Sequence, residues 1–362
     1  MGRKKDSAAS LLVFGDLNID MIGRVDAWPA PGGECLCPRL ELHCGGVGAN
    51  CALAIVPWGI DVRLLGCVGQ DRFGDLLLET LRKSGVDIRG VHRSSRALTG
   101  LLYINVTRDG QRTFFGSRGA NQFMAPTHVL DGWLNSSAAA HLVGYSFLNP
   151  GPEKMARQIL RQFHSRGKRV SLDVGMEPAK RIPKQILRLL PQVDLLFVSS
   201  EEVALLTGRG NTRKNFLQCQ RAGAKEVVMK IGKRGCLISD GGILRKVPSF
   251  AVRVVDSTGA GDAFTAAFLQ ARLRGWSTLE AALVANAAGA AAASRVGAGT
   301  TLSDVAGTLK LLRTQRLKGT WEEIRLQILS RVQKARGFKP KVVAPAGTIG
   351  RRPAGRQLSP TH

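Results

Sequence analysis

The chain has 362 residues, 44% of them hydrophobic, and a formal net charge of +25. That length suits one large α/β domain or two smaller ones, and seven scattered cysteines, an odd number, argue against a disulfide framework. No apolar run reaches the length of a membrane span and residues 1–10 lack the apolar core of a secretory signal, so a cytoplasmic protein is expected. The charge would attract polyanions, yet no zinc finger or recognition helix marks a specific nucleic-acid reader.

Leu11-Leu12-Val13-Phe14 reads as a short buried strand. Asn18 and Asp20 follow it, at the strand end where open α/β sheets place ligand groups, and a carboxylate at Asp20 has acceptor room for two neighbouring hydroxyls. Turn chemistry is the alternative for both. After the punctuation of Trp28 to Glu34, residues 35–43 alternate like a strand. Residues 100–106 and 112–115 then read as a hairpin around Arg108-Asp109-Gly110.

Gly45-Gly46-Val47-Gly48-Ala49-Asn50 opens a helix that Pro57 should end early. Gly46 permits close backbone approach to a ligand, and Asn50 offers a sugar both donor and acceptor. Residues 62–68 form a strand, and Gly69 to Gly74 make a turn of architectural character. Arg118, beside Gly119-Ala120-Asn121, is either a partner for an acidic substrate or a solvated cation.

Strands near 139–144, 169–174, 193–198 and 226–231 then alternate with helical segments, which predicts a parallel sheet covered on both faces. Ser199 and Glu202 have capping-box spacing at the third of these strands. Lys230-Ile231-Gly232-Lys233-Arg234-Gly235 turns sharply after the fourth, its cations suited to phosphate or to solvent. No Walker-type phosphate loop occurs.

Residues 252–255 read as a strand and Ala263 to Leu273 as a helix, so Gly259-Ala260-Gly261 is a tight turn at a helix N-terminus. Its unpaired N–H groups and the helix dipole make an anion hole. Asp262 beside it can take a proton from a hydroxyl while those amides hold phosphoryl charge, or can simply cap the helix. Residues 279–294 form an Ala-rich helix containing Asn286. Residues 314–336 form a basic amphipathic helix with Trp321, Ile324, Ile328 and Val332 on one face, and 337–362 is expected to be disordered.

The run Asp256-Ser257-Thr258-Gly259-Ala260-Gly261-Asp262-Ala263-Phe264 resembles the signature of the PfkB (ribokinase-like) carbohydrate kinases. The glycine-rich stretch ending at Asn50 and the pair Asn18 and Asp20 resemble further motifs of that family, over residues 11–313. The resemblance implies an α/β fold: a three-layer α/β/α domain with a mostly parallel central sheet, plus a small β-sheet lid from strands at about 33–43 and 98–118. Residues 314–362, with eleven Lys/Arg against Glu322 and Glu323, form a basic extension outside it.

By resemblance, the activity is ATP-dependent transfer of the γ-phosphoryl group to a primary hydroxyl of a small carbohydrate. Asp262 is then the base and Gly259, Ala260 and Gly261 its anion hole. Asn18, Asp20, Gly46 and Asn50 hold the sugar. Ser199 and Glu202 serve the Mg²⁺ and phosphate network, Lys230, Gly232 and Gly235 lie along ATP, and Asn286 lines the adenine pocket. Asp256 and Thr258, with carbonyls of Ala292, Arg295 and Gly297, would hold K⁺. A homodimer through the lid is also expected. Two departures stand out: Ser199 replaces the family's Asn, and Val47 replaces the Lys of ribokinases, which counts against ribose. Ribose leads; fructose, 2-keto-3-deoxygluconate and nucleosides remain, as does a non-catalytic sugar- or nucleotide-binding regulator.

Overall fold

A computed structural model describes residues 10–108, 112–124, 130–208, 210–240, 242–295 and 304–334. Its strands in chain order are β1 (Ser10–Phe14), β2 (Asn18–Arg24), β3 (Leu40–Gly45), β4 (Asp61–Gly69), β5 (Asp87–Ser94), β6 (Gly100–Val106), β7 (Arg112–Ser117), β8 (Ala139–Val143), β9 (Arg169–Asp173), β10 (Leu195–Ser199), β11 (Glu226–Lys230), β12 (Cys236–Asp240) and β13 (Ile243–Val247). Nine of them form one sheet in the order β13-β12-β11-β10-β9-β8-β1-β4-β5. It is parallel except for β12 and β13, which add as an antiparallel edge.

Continuous apolar runs are what a sheet covered on both faces requires, because alternate residues point to opposite sides. In β1, Leu11 and Val13 enter one core and Leu12 and Phe14 the other. The first core also holds the Val47–Ile55, Ala260–Leu273 and Thr278–Ala293 helices, and the second the Pro150–His164 helix. Since β1 lies between β8 and β4, the chain leaves it in both directions, and a crevice opens at the carboxyl ends of the strands.

A second sheet, ordered β3-β2-β6-β7, forms the lid. Here the local reading fell short. Asn18 and Asp20 lie on β2 rather than in a turn, Asn18 paired with Gly45 and Gly100, and Asp20 with His43 and Leu102. The strand read over residues 35–43 spans Leu40–Gly45 instead. Residues 252–255 form no strand: the N–H groups of Val255 and Asp256 donate to the Ala293 carbonyl at 2.8 and 3.2 Å, tying the segment to a helix end. Pro57 acts as expected, the helix stopping at Ile55 before a 3₁₀ turn at Val56–Trp58.

The amphipathic helix near the C-terminus spans Thr320–Lys334 and packs into the first core through buried Ile324 and Ile328. Arg331 pairs with Glu280 at 2.7 Å, and buried Arg325 donates to the Leu312 carbonyl and to Glu322. The segment 337–362, expected to be disordered, lies outside the described residues. No helix among the described residues is long and apolar enough to cross a membrane.

Candidate active site

Three cavities meet around residues 259–262. The first, about 710 Å³, lies between the lid and the strand ends, and Asn18, Asp20, Gly46, Asn50 and Asp262 line it. The second, about 550 Å³, is lined by Asp173, Ser199, Glu202, Lys230, Gly261 and Asp262. The third, about 540 Å³, has a mostly apolar wall that includes Phe250, Val252 and Ala290, with Gly232, Gly235 and Asn286. Asp262 belongs to the first and second, and Gly261 to the second and third.

The first cavity holds the residues read as sugar-binding. Asp20 is buried, and its Oδ1 has no hydrogen-bond partner among the described residues; the same is true of Asn50 Oδ1. Buried acceptors left open in this way suit ligand hydroxyls. Burial pushes the Asp20 carboxyl up to about 7, and the neighbouring Asp262 adds to the shift. Asn18 Oδ1 accepts from Asn121 Nδ2 at 2.8 Å, while Asn121 Oδ1 takes the Leu17 N–H at 2.8 Å, so the Gly119-Ala120-Asn121 loop fixes this strand end. Gly46 has φ 85°, and a Cβ there would collide with the Asp16 carbonyl, so only glycine fits. Arg118 is not open for an acidic substrate. Its Nε and Nη2 donate to both oxygens of Asp16 at 2.8 and 2.7 Å, and its Nη1 bonds Asn149.

Gly259 is the N-cap of the Ala260–Leu273 helix, with φ 71° and no side-chain cap. The first-turn N–H groups have no partner within the helix, and the Ala260 N–H reaches the Ser257 carbonyl at 3.3 Å. Asp262 does not cap the helix. Its Oδ2 accepts from Asn50 Nδ2 at 2.9 Å, bridging two helix starts. Burial raises its carboxyl to about 7; Asp173 adds to this, while Lys230 and the Asn50 bond oppose it. A carboxylate with such a pKa is suited to accept a proton near neutrality.

In the second cavity, Ser199 and Glu202 form the capping box their spacing predicts, Glu202 Oε2 accepting the Ser199 N–H at 2.8 Å. Both residues also line the cavity. Burial raises the Glu202 carboxyl, Lys230 opposes, and Asp173 adds. Lys230 Nζ binds Asp173 at 2.9 Å, and Thr265 Oγ1 donates to the same Asp173 oxygen at 2.9 Å. Sequence reasoning missed Asp173 and Thr265; only the place of Asp173 at a strand's carboxyl end pointed to it.

Asn286 lines the third cavity, its Nδ2 donating to the Pro248 carbonyl at 3.0 Å and the Val247 carbonyl at 3.3 Å. Of the residues read as a cation site, the Asp256 carboxylate accepts the Thr258 N–H at 2.7 Å. The Ala292 carbonyl accepts the Arg295 N–H at 3.2 Å, and the Arg295 side chain pairs with Asp304. Gly297 lies outside the described residues.

Known proteins match both the chain and its fold. A family model described as pfkB family carbohydrate kinase matches residues 8–305. Fructokinase-1 of Oryza sativa subsp. japonica is 30% identical over 318 residues, covering 83% of this chain and 97% of that protein. A ribokinase of Haemophilus influenzae is 26% identical, covering 84% and 98%. Among solved structures, Thermotoga maritima ribokinase superposes with a TM-score of 0.75 at 27% identity, covering 84% of this chain and all of that one. Arabidopsis thaliana ribokinase complexed with ribose and ATP gives a TM-score of 0.75 at 27% identity, covering 85% and 100%. The chain belongs to the PfkB family of carbohydrate kinases, with the ribokinase fold.

Proposed function

We propose that the protein transfers the γ-phosphoryl group of ATP to a primary hydroxyl of a small carbohydrate, with Asp262 as general base. The observation that carries this reading is the place of Asp262, at the junction of the lid cavity and the second cavity and held by Asn50 at 2.9 Å. In this reading the lid cavity takes the sugar. The open acceptors of Asp20 and Asn50 bind its hydroxyls, with Asn18 and Gly46 shaping the wall. The apolar third cavity suits adenine, along Gly232, Gly235 and Asn286. ATP supplies the phosphoryl group and Mg²⁺ screens its charge. Glu202 and Ser199 face that region, and the amides of 259–261 steady the charge that develops in transfer.

Asp256, Thr258 and the carbonyls of Ala292 and Arg295 suit K⁺ by their oxygen-only chemistry, although both Asp256 and Ala292 already accept backbone N–H groups. Pairing of two copies through the lid accords with apolar Trp28, Leu40 and Phe115 exposed there. A coupled ADP-release assay across ribose, fructose, 2-keto-3-deoxygluconate and nucleosides tests the reading. Sugar-dependent ADP release with one of them, lost in Asp262→Asn, is the expected result. ADP release that no sugar stimulates would remove the kinase reading and leave a binding protein.

A further inference from the structure

The second cavity is lined by four carboxylates, Asp173, Glu201, Glu202 and Asp262, and by one cation among its described lining residues, Lys230. That cation is largely buried, with its side chain 18% exposed, and is held to Asp173, whose side chain is 7% exposed. Asp173 is braced in turn by Thr265 from the Ala260–Leu273 helix. A methyl group built on Gly261 would meet only the Lys230 Nζ, at 3.7 Å, among the described residues. The ammonium therefore stands beside the turn at Gly259–Gly261. Lys230 also lines the third cavity, so it spans the boundary between the two. Val47, which brings no charge, lines both this cavity and the lid cavity.

We infer that Asp173 is a positioning residue that, braced by Thr265, holds the Lys230 ammonium where the terminal phosphoryl group of a nucleoside triphosphate passes between the two cavities. The inference rests on the kinase reading and deepens it. Lys230 compensates there for a wall of carboxylates that would otherwise repel the γ-phosphoryl group, while the diphosphate portion extends toward Gly232 and Gly235, away from those carboxylates. Asp173 is needed because a lysine side chain has many rotamers, and an unheld ammonium beside so many carboxylates would bind whichever lay nearest.

Binding of Mg²⁺–AMP-PNP and Mg²⁺–ADP to the full chain, measured by calorimetry without sugar, tests this. Lys230→Met should weaken AMP-PNP about tenfold, as loss of a charge-assisted contact does, with ADP affected less than about twofold. Asp173→Asn should reduce the preference for AMP-PNP part of the way, an effect a purely structural role would not produce. Should Lys230→Met fail to fold with an unpaired buried carboxylate, the double variant Asp173→Asn/Lys230→Met removes both charges and should lose the preference as fully. An unchanged AMP-PNP to ADP ratio in folded Lys230→Met, or in the double variant, overturns the inference. Failure of the wild-type chain to bind either nucleotide would instead overturn the kinase reading.

Discussion

Asn50 and Asp262, 212 positions apart in sequence, share a hydrogen bond of 2.9 Å between Nδ2 and Oδ2, which joins the starts of two helices across the mouth of the site. Asn50 Oδ1 is buried with no hydrogen-bond partner among the described residues, and Asn50 lines the lid cavity. One amide therefore holds Asp262 and borders the lid cavity.

Replacement Asp262→Asn keeps the size and the polar contact with Asn50 but removes the proton acceptor. The expected result is a fall in kcat of about 10²–10⁴, the usual worth of a general base, with nucleotide affinity preserved. Stopped-flow or coupled assays, with calorimetry for binding, check this.

The same substitution should stabilise the protein in alkali. The folded-state pKa of Asp262 stands near 7, above its ordinary value of 3.8. Its contribution to stability is thus fully present below about 3.8 and is lost as pH rises through 7. Thermal melts should show Asp262→Asn more stable than wild type at pH 8, with the gap closing toward pH 4. Asp20→Asn should behave alike, since burial and Asp262 raise that group to about 7 as well.

Turnover should rise with pH through a limb near 7, because the proposed mechanism needs Asp262 ionised. Asp20 and Asp262 interact, so the limb belongs to the pair. Loss of the Asn50 bond, which favours the ionised carboxylate, should move the limb upward in Asn50→Ala. Loss of the Asp173 charge should move it downward in Asp173→Asn. A pH–rate profile for each variant reads both shifts.

His141 is fully buried on β8, with Nδ1 at 2.9 Å from Ser171 Oγ, and burial pushes its pKa down to about 4 from 6.5. The stability tied to its neutral form is present above 6.5 and lost as pH falls toward 4. The loss is on the order of 3 kcal/mol, from about 1.4 kcal/mol per pH unit. His141→Gln should flatten the acid side of a urea-melt stability profile over that window.

The family match ends at residue 305, yet the helix Thr320–Lys334 is part of the core. Ile328 is fully buried, so Ile328→Ala should cost about 2–5 kcal/mol, read as a lowered denaturation midpoint.

Local pattern carried the main sheet, because strands such as Leu11–Phe14 and the regular β–α alternation announce themselves in short windows. The sharpest motif, residues 256–264, pointed to the helix start and to Asp262. Contacts between distant segments did not show. Asn18 and Asp20 look like turn formers, and only pairing with β3 and β6 makes them strand residues. Residues 252–255 have strand composition but no sheet neighbour, their amides being taken by a helix end. Arg118 and Asp173 gave no local sign of their partners, Asp16 and Lys230, which lie 102 and 57 positions away.

Three residues separate β1, rooted in the main sheet, from β2, which belongs to the lid and bears Asp20. Asp262 is mounted on the rigid layer beneath. Asp20 and Asp262 therefore sit on different layers joined by a three-residue link, which Asn121 pins through both the N–H and the carbonyl of Leu17. In the proposed reaction that link sets the distance from acceptor alcohol to base, so loosening it through Asn121→Ala would alter affinity and turnover together.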